Sequence, residues 1–378
     1  MQIVFMSKQL IYADHAATTL LSKTALEAML PFLRTDFGNP SSLHSWGKVP
    51  RKAVAKAREV IAGCINAETD EIFFTSGGTE SDNWVIKGVD GGVLVSSYEH
   101  HAVLNAAMQK ARCGGKVRFL NPNTDGYITP EALSGGLESG IGLVSIMMAN
   151  NEIGTINSVQ KLAEVAHKNG VLFHADAVQA VGHVPIDVRK LNVDFMSASA
   201  HKFNGPKGIG FLFVRKGLTL TSLINGGQQE FGIRAGTENV ASIVGMATAL
   251  KENCERMEAN ATHLEGLVAQ FYDGVTKVTN NSIPICRGVG ARLPGFISIA
   301  FPGHSAEGIL HLLDLKGIAI STGAACDSKN TQISHVLKAI QLPKEIAEAT
   351  IRITFGPENT ATEVESILSS LGKILKKG

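Results

Sequence analysis

Short β-rich runs alternate with amphipathic stretches through the first two-thirds of the chain, and this alternation restricts the fold more than any other feature. The β-rich runs fall at 72–75, 92–97, 142–148, 171–175, 193–198 and 208–214. Between two of them, Val159, Leu162, Ala163 and Ala166 recur at the spacing of one helical face, and Gly170 follows as a stop. Strands alternating with helices predict a doubly wound α/β layer with a mostly parallel sheet. After about residue 255 the pattern shifts to fewer strands and two late helices. The last of these carries a capping box, Thr362 with Glu365, and an apolar stripe through Val364, Leu368, Leu371 and Leu375. With 378 residues, 44% of them hydrophobic, the chain exceeds one typical domain and can fill a sizeable core. The expected division is a large α/β domain over 17–255 and a smaller α+β domain from 1–16 and 256–378. With no repeat or flexible linker between them, the two should pack closely.

Charge excludes several function classes. The formal net charge is +1 without a long run of one sign, so no electrostatic footprint for nucleic acid is present. The apolar stretch at 3–6 lacks the basic region and cleavage site of a secretory leader, and no segment is long and apolar enough to span a bilayer. A cytoplasmic location away from membranes is the expectation. Cys64, Cys113, Cys254, Cys286 and Cys326 have neither disulfide nor metal-ligand spacing, and no metal is expected. Cys64 falls on the stripe of Val49, Ala53, Val54, Ala57, Val60 and Ile61, which predicts a buried, inert thiol. Cys326 differs: it lies in Ser321-Thr322-Gly323-Ala324-Ala325-Cys326-Asp327-Ser328, a small-residue stretch suited to a loop.

Two residues suggest pyridoxal phosphate chemistry. Lys202, in Ser199-Ala200-His201-Lys202, follows one β-rich run, and Asp176, in His174-Ala175-Asp176-Ala177-Val178-Gln179, ends another. A lysine amine can form a Schiff base with an aldehyde cofactor, while a carboxylate can hold a pyridine nitrogen protonated. Ser76-Gly77-Gly78-Thr79-Glu80-Ser81 leads from a strand into a helix. There, small residues let backbone N–H groups converge on an anion, although such a turn also serves geometry alone. Ser199 and His201 add donors near Lys202. His100, after the run at 92–97, and Gln179 complete a group at strand ends, where α/β sheets gather ligands.

These residues, with Tyr12-Ala13-Asp14-His15-Ala16-Ala17-Thr18-Thr19, Gly38-Asn39-Pro40-Ser41-Ser42, Asn150-Asn151-Glu152-Ile153-Gly154 and Gly236-Thr237-Glu238-Asn239, resemble the cysteine desulfurases. Those are fold-type I pyridoxal phosphate enzymes of the class V aminotransferase group, and the resemblance runs from about residue 11 to about 370. It implies Lys202 as the Schiff-base lysine, Asp176 on the pyridine nitrogen, Gln179 on the phenolate oxygen and His100 stacked on the ring. Gly78, Thr79, Ser199 and His201 would hold the phosphate, with Thr237 reaching the phosphate of a second subunit in a homodimer. Asn151 and Arg352 would hold the carboxylate of L-cysteine, a task that suits a guanidinium fork.

Cys326 matches the nucleophile of that family, which takes the substrate sulfur as a persulfide while L-alanine leaves. His100 would act as acid or base near the thiol. A sulfur-acceptor protein, such as an iron–sulfur scaffold or a sulfur carrier, would collect the product. Asp327 departs from the family's usual small polar residue and disfavours thiolate at Cys326, with Lys329 as an offset. The competing readings are an aminotransferase, which needs no Cys326, a selenocysteine lyase, and a non-catalytic sulfur-transfer scaffold.

Overall fold

The computed structural model describes residues 10–288, 290–322 and 333–376. Its centre is a seven-stranded sheet in the spatial order Ile72–Thr75, Gly210–Val214, Phe195–Ser199, Leu172–Asp176, Ile141–Ser145, Gly92–Ser96 and Val117–Leu120. The five strands from Phe195–Ser199 to Val117–Leu120 run parallel, while Gly210–Val214 is antiparallel to both its neighbours. Helices cover both faces, so the inner strands are buried along their length and read as continuous apolar runs. Each run expected from sequence becomes a strand. Val117–Leu120 was not expected, because this edge strand exposes Arg118 and Phe119 and so lacks an apolar signature.

A second, four-stranded antiparallel sheet places Ser321–Thr322, Thr350–Thr354, Phe296–Ala300 and Ile283–Pro284 side by side. A separate apolar cluster lies against it, joining Ile11 and Ala13 to Phe271, Ile297, Ile351 and Leu371. The two parts share a helix: Val240–Val278 crosses residue 255 without a break. Phe296, Val336 and Leu337 from the later part also pack into the main core.

The last helix, Ala361–Leu375, corrects one expectation. Its capping box is Thr360 with Glu363, not Thr362 with Glu365. Thr360 has extended backbone and accepts from the Glu363 N–H, and Glu363 reaches back to the Thr360 N–H. The same residue pattern two positions on falls inside the helix, where Thr362 already has helical backbone and the Glu365 N–H belongs to the helical ladder. Cys64, on the helix Ser45–Ile65, is half-buried against the main core, and its side chain is hydrogen-bonded to Cys254 of the long helix. That bond, then burial, pushes the Cys64 thiol up. Among the described residues no helix is long and apolar enough to cross a membrane, and no group of His, Cys, Asp and Glu side chains is placed to hold a metal.

Candidate active site

The carboxyl ends of the parallel strands open into a cavity of about 610 Å³. Such an edge collects ligands because the sheet aims its connecting turns there. Gly78, Thr79, His100, Asn151, Asp176, Gln179, Ser199, His201, Lys202 and Arg352 all line it. Thr237 does not: it is exposed, outside the cavity lining. Cys326, with Asp327 and Lys329, lies outside the described residues.

Asp176 ends the strand Leu172–Asp176, and its Oδ1 accepts the Val178 N–H at 2.9 Å. Burial raises its pKa to about 6 against the opposing pull of that bond and of Lys202. Lys202 closes a tight 3₁₀ turn, Ala200–Lys202, straight after the next strand. Its Nζ donates to Ala16 O at 2.5 Å and Ala17 O at 2.9 Å. Gln179 donates to Ala16 O at 2.9 Å, so the segment at 16–17 joins both side chains.

His100 caps the helix His101–Arg112, its Nδ1 accepting the Ala102 N–H at 3.1 Å. A ring accepting at Nδ1 carries its proton on Nε2. Burial, followed by the charge of Lys202 and then His101, lowers its pKa to about 4 and keeps it neutral. His201 is lowered to about 4 in the same way, by burial before Lys202 and Lys207. Gly77, at φ +149° and ψ −178°, makes the sharp approach to the helix Gly78–Gly88. A Cβ on Gly78 would lie 2.5 Å from Val178 Cγ2, so a side chain there closes the cup.

Arg352 is buried on the strand Thr350–Thr354. Its Nη1 donates to Asn151 O and its Nη2 to Asp14 Oδ1, each at 2.7 Å, while its buried Nε has no partner. Asp14 lay in a quoted motif, but its pairing across 338 positions had no local signal. Behind Asp176 lies a polar layer that the sequence reading did not assign. His174 bridges Ser145 Oγ at 2.8 Å and Ser197 Oγ at 2.9 Å, and burial holds it neutral, its pKa lowered to about 3. Burial raises the carboxyls of Asp82 and Glu99 as well, with Asp176 adding repulsion to each. Both are pushed towards the protonated form, and Asp176 shares the cavity lining with Lys202.

The residues on either side of the segment bearing Cys326 reach this site. Ser321 stands across from Arg352 in the sheet. Ser334 Oγ donates to Glu152 Oε2, and His335 Nε2 donates to Glu99 O.

Comparison with known proteins places the chain in a family. The model of the family Aminotransferase class-V matches residues 11–367. The chain belongs to the class-V aminotransferase family, in its cysteine desulfurase branch. A cysteine desulfurase IscS of Dictyoglomus turgidum is 44% identical, covering 98% of this chain and 95% of its own. A solved NifS-like protein aligns at a TM-score of 0.92 with 35% identity, over 98% of this chain and 100% of its own. A structure of SspA in complex with cysteine aligns at 0.82 with 32% identity, over 93% and 100%.

Class-V aminotransferases of this branch are pyridoxal phosphate enzymes, and the donor set here fits that cofactor. One buried carboxyl of raised pKa suits a pyridinium, whose positive charge would draw it back to the ionised form. A lysine amine shares the cavity, and the glycine cup at a helix start offers N–H groups to a phosphate.

Proposed function

We infer that the chain removes sulfur from L-cysteine, releasing L-alanine and leaving the sulfur on Cys326 as a persulfide. The observation that carries this reading is the anchoring of both flanks of the Cys326 segment beside cavity-lining residues: Ser321 pairs with Arg352, Ser334 bonds Glu152 next to Asn151, and His335 bonds Glu99 next to His100. An aminotransferase would have no use for the thiol that this segment carries. Bound pyridoxal phosphate supplies an aldehyde that takes up the substrate amine and a ring that stores electrons.

The chain's own groups do the rest. Arg352, through its unpartnered Nε and remaining N–H groups, holds the substrate carboxylate with Asn151 beside it. Lys202 Nζ, as the free amine, takes the Cα proton. Asp176 holds the ring nitrogen's proton in place. His100, neutral with its proton on Nε2, moves a proton at that nitrogen, giving up its own before Nε2 can accept one from a thiol. Sulfur transfer balances: the Cys326 thiolate bonds to the substrate sulfur, the Cβ–Sγ bond breaks, and the substrate carbon gains a proton to become the methyl of alanine.

The active assembly is a homodimer. Leu20, Leu33, Phe37, Leu43, Trp46 and Phe231 are exposed apolar side chains that a second subunit would cover. Thr237, outside its own cavity, is placed by this reading at the phosphate of the second subunit. The persulfide passes to an iron–sulfur scaffold or sulfur carrier in the cytoplasm.

The test is release of alanine and sulfide from L-cysteine by cofactor-loaded protein with a reductant, beside Cys326→Ala. Equal release, lost in the variant while the cofactor's visible band persists, is the expected result. Full activity in the variant would overturn the role of Cys326.

A further inference from the structure

Two side chains at the start of one short helix each hold a different part of the substrate site. The helix His335–Ala339 begins three residues after the segment that carries Cys326, with Ser334 as its N-cap. Ser334 Oγ accepts the Val336 N–H at 3.0 Å and donates its own proton to Glu152 Oε2, so both capacities of the hydroxyl are in use. Glu152 is buried in the turn that displays Asn151. Asn150 Oδ1 closes that turn by accepting the N–H groups of Glu152 at 2.8 Å and Ile153 at 3.1 Å. Asn151 O, in the same turn, takes the Nη1 donor of Arg352.

The next residue serves the other wall. His335 Nε2 donates to Glu99 O at 2.8 Å, the carbonyl immediately before His100, and its ring lies 4.6 Å from that of His101. The helix start is thus bonded to the turn that orients the carboxylate-binding guanidinium and to the turn that presents the imidazole.

We propose that Ser334 and His335 are positioning residues that act through different partners: Ser334, through Glu152, sets Asn151 and Arg352 for the substrate carboxylate, and His335, through Glu99, sets His100 for proton transfer. This rests on the desulfurase reading for the His335 arm alone. The carboxylate arm concerns any α-amino acid that the site binds.

The separate partners give separable kinetics. Removing a bond that orients a binding group weakens substrate and transition state alike, whereas misplacing a proton-transfer group lowers turnover. Ser334→Asp keeps a good helix cap but replaces the donor to Glu152 with a repelling carboxylate, and Ser334→Ala is the alternative if it folds poorly. His335→Phe keeps the ring and removes the donor, while His335→Gln returns an amide N–H at the same reach.

The experiment titrates the visible band of cofactor-loaded protein with L-alanine, which needs no sulfur chemistry, and measures kcat for alanine release from L-cysteine. Loss of the Ser334 donor should weaken L-alanine binding about tenfold with kcat within about twofold, and His335→Phe should lower kcat about tenfold with L-alanine binding within about twofold. Ser334→Thr and His335→Gln should restore wild-type values. The proposal is overturned if the conservative variants behave like the deletions, or if both deletions lower the two quantities together in step with melting temperature. Wild-type protein that binds L-alanine but releases none from L-cysteine would refute the desulfurase reading and the His335 arm, leaving the Ser334 arm to be decided by the titration.

Discussion

Arg352→Lys is the perturbation whose outcome the geometry fixes best. The guanidinium spends one Nη1 hydrogen on Asn151 O and one Nη2 hydrogen on Asp14 Oδ1, keeping the Nε–H and one further hydrogen on each Nη for a ligand. An ammonium that satisfies the same two protein acceptors has one hydrogen left. The carboxylate of the substrate then loses one of two charge-assisted bonds, worth about 1.5–3 kcal/mol. That energy corresponds to a rise of roughly 10- to 150-fold in KM for L-cysteine. Because the bond is present in substrate and transition state alike, kcat should change little. Because Lys retains the positive charge beside Asp14, the half-buried carboxyl keeps its partner and stability should change little. The assay is alanine release at saturating cofactor over a range of L-cysteine, with thermal unfolding alongside. A KM within threefold of wild type, as an order-of-magnitude limit, would refute the assignment of the carboxylate to Arg352.

Gly78→Ala places a Cβ 2.5 Å from Val178 Cγ2 in the cofactor cup, so retention of pyridoxal phosphate on gel filtration should fall at least about tenfold; undiminished retention would count against the cup. His174 has its pKa lowered to about 3 in the folded chain against about 6.5 unfolded. The unfolded chain therefore takes that proton first, and stability from this group is lost as pH falls from about 6.5 towards 3. His174→Gln should flatten the acid side of the urea midpoint plotted against pH, and an unchanged slope would contradict the neutral imidazole. Glu230 accepts from Arg58 Nη2 at 2.7 Å, Arg58 Nη1 at 2.9 Å and the Phe74 N–H at 2.9 Å, with Glu230 buried and Arg58 largely so. Glu230→Ala strands a buried guanidinium and should cost about 3–5 kcal/mol in urea unfolding; a loss below about 1 kcal/mol would show that water replaces the carboxylate.

Much of this site was readable because its residues sit at fixed offsets from strands. Asp176 and Ser199 end strands, and Lys202 and His100 follow them by a few positions, so a β-rich run locates each within a few residues. Thr360 and Glu363 show the limit of that approach. Two overlapping pairs matched the capping pattern, and only the backbone angles at Thr360 separated them.

The sequence alone determined the alternation of strands and helices, the parallel layer and the lysine and aspartate at its carboxyl edge, because periodicity and local spacing are carried by neighbours along the chain. Tertiary structure decided what is joined from afar. Asp14 meets Arg352, Arg58 meets Glu230, Ser334 meets Glu152, and Asp82 and His174 stand behind Asp176. The protonation of that layer was likewise undecided by sequence, since the carboxyl and imidazole side chains are the same residues in water. Burial in the assembled sheet takes water from them, and the loss of hydration is what pushes Asp82 and Glu99 towards the protonated form and keeps His174 neutral.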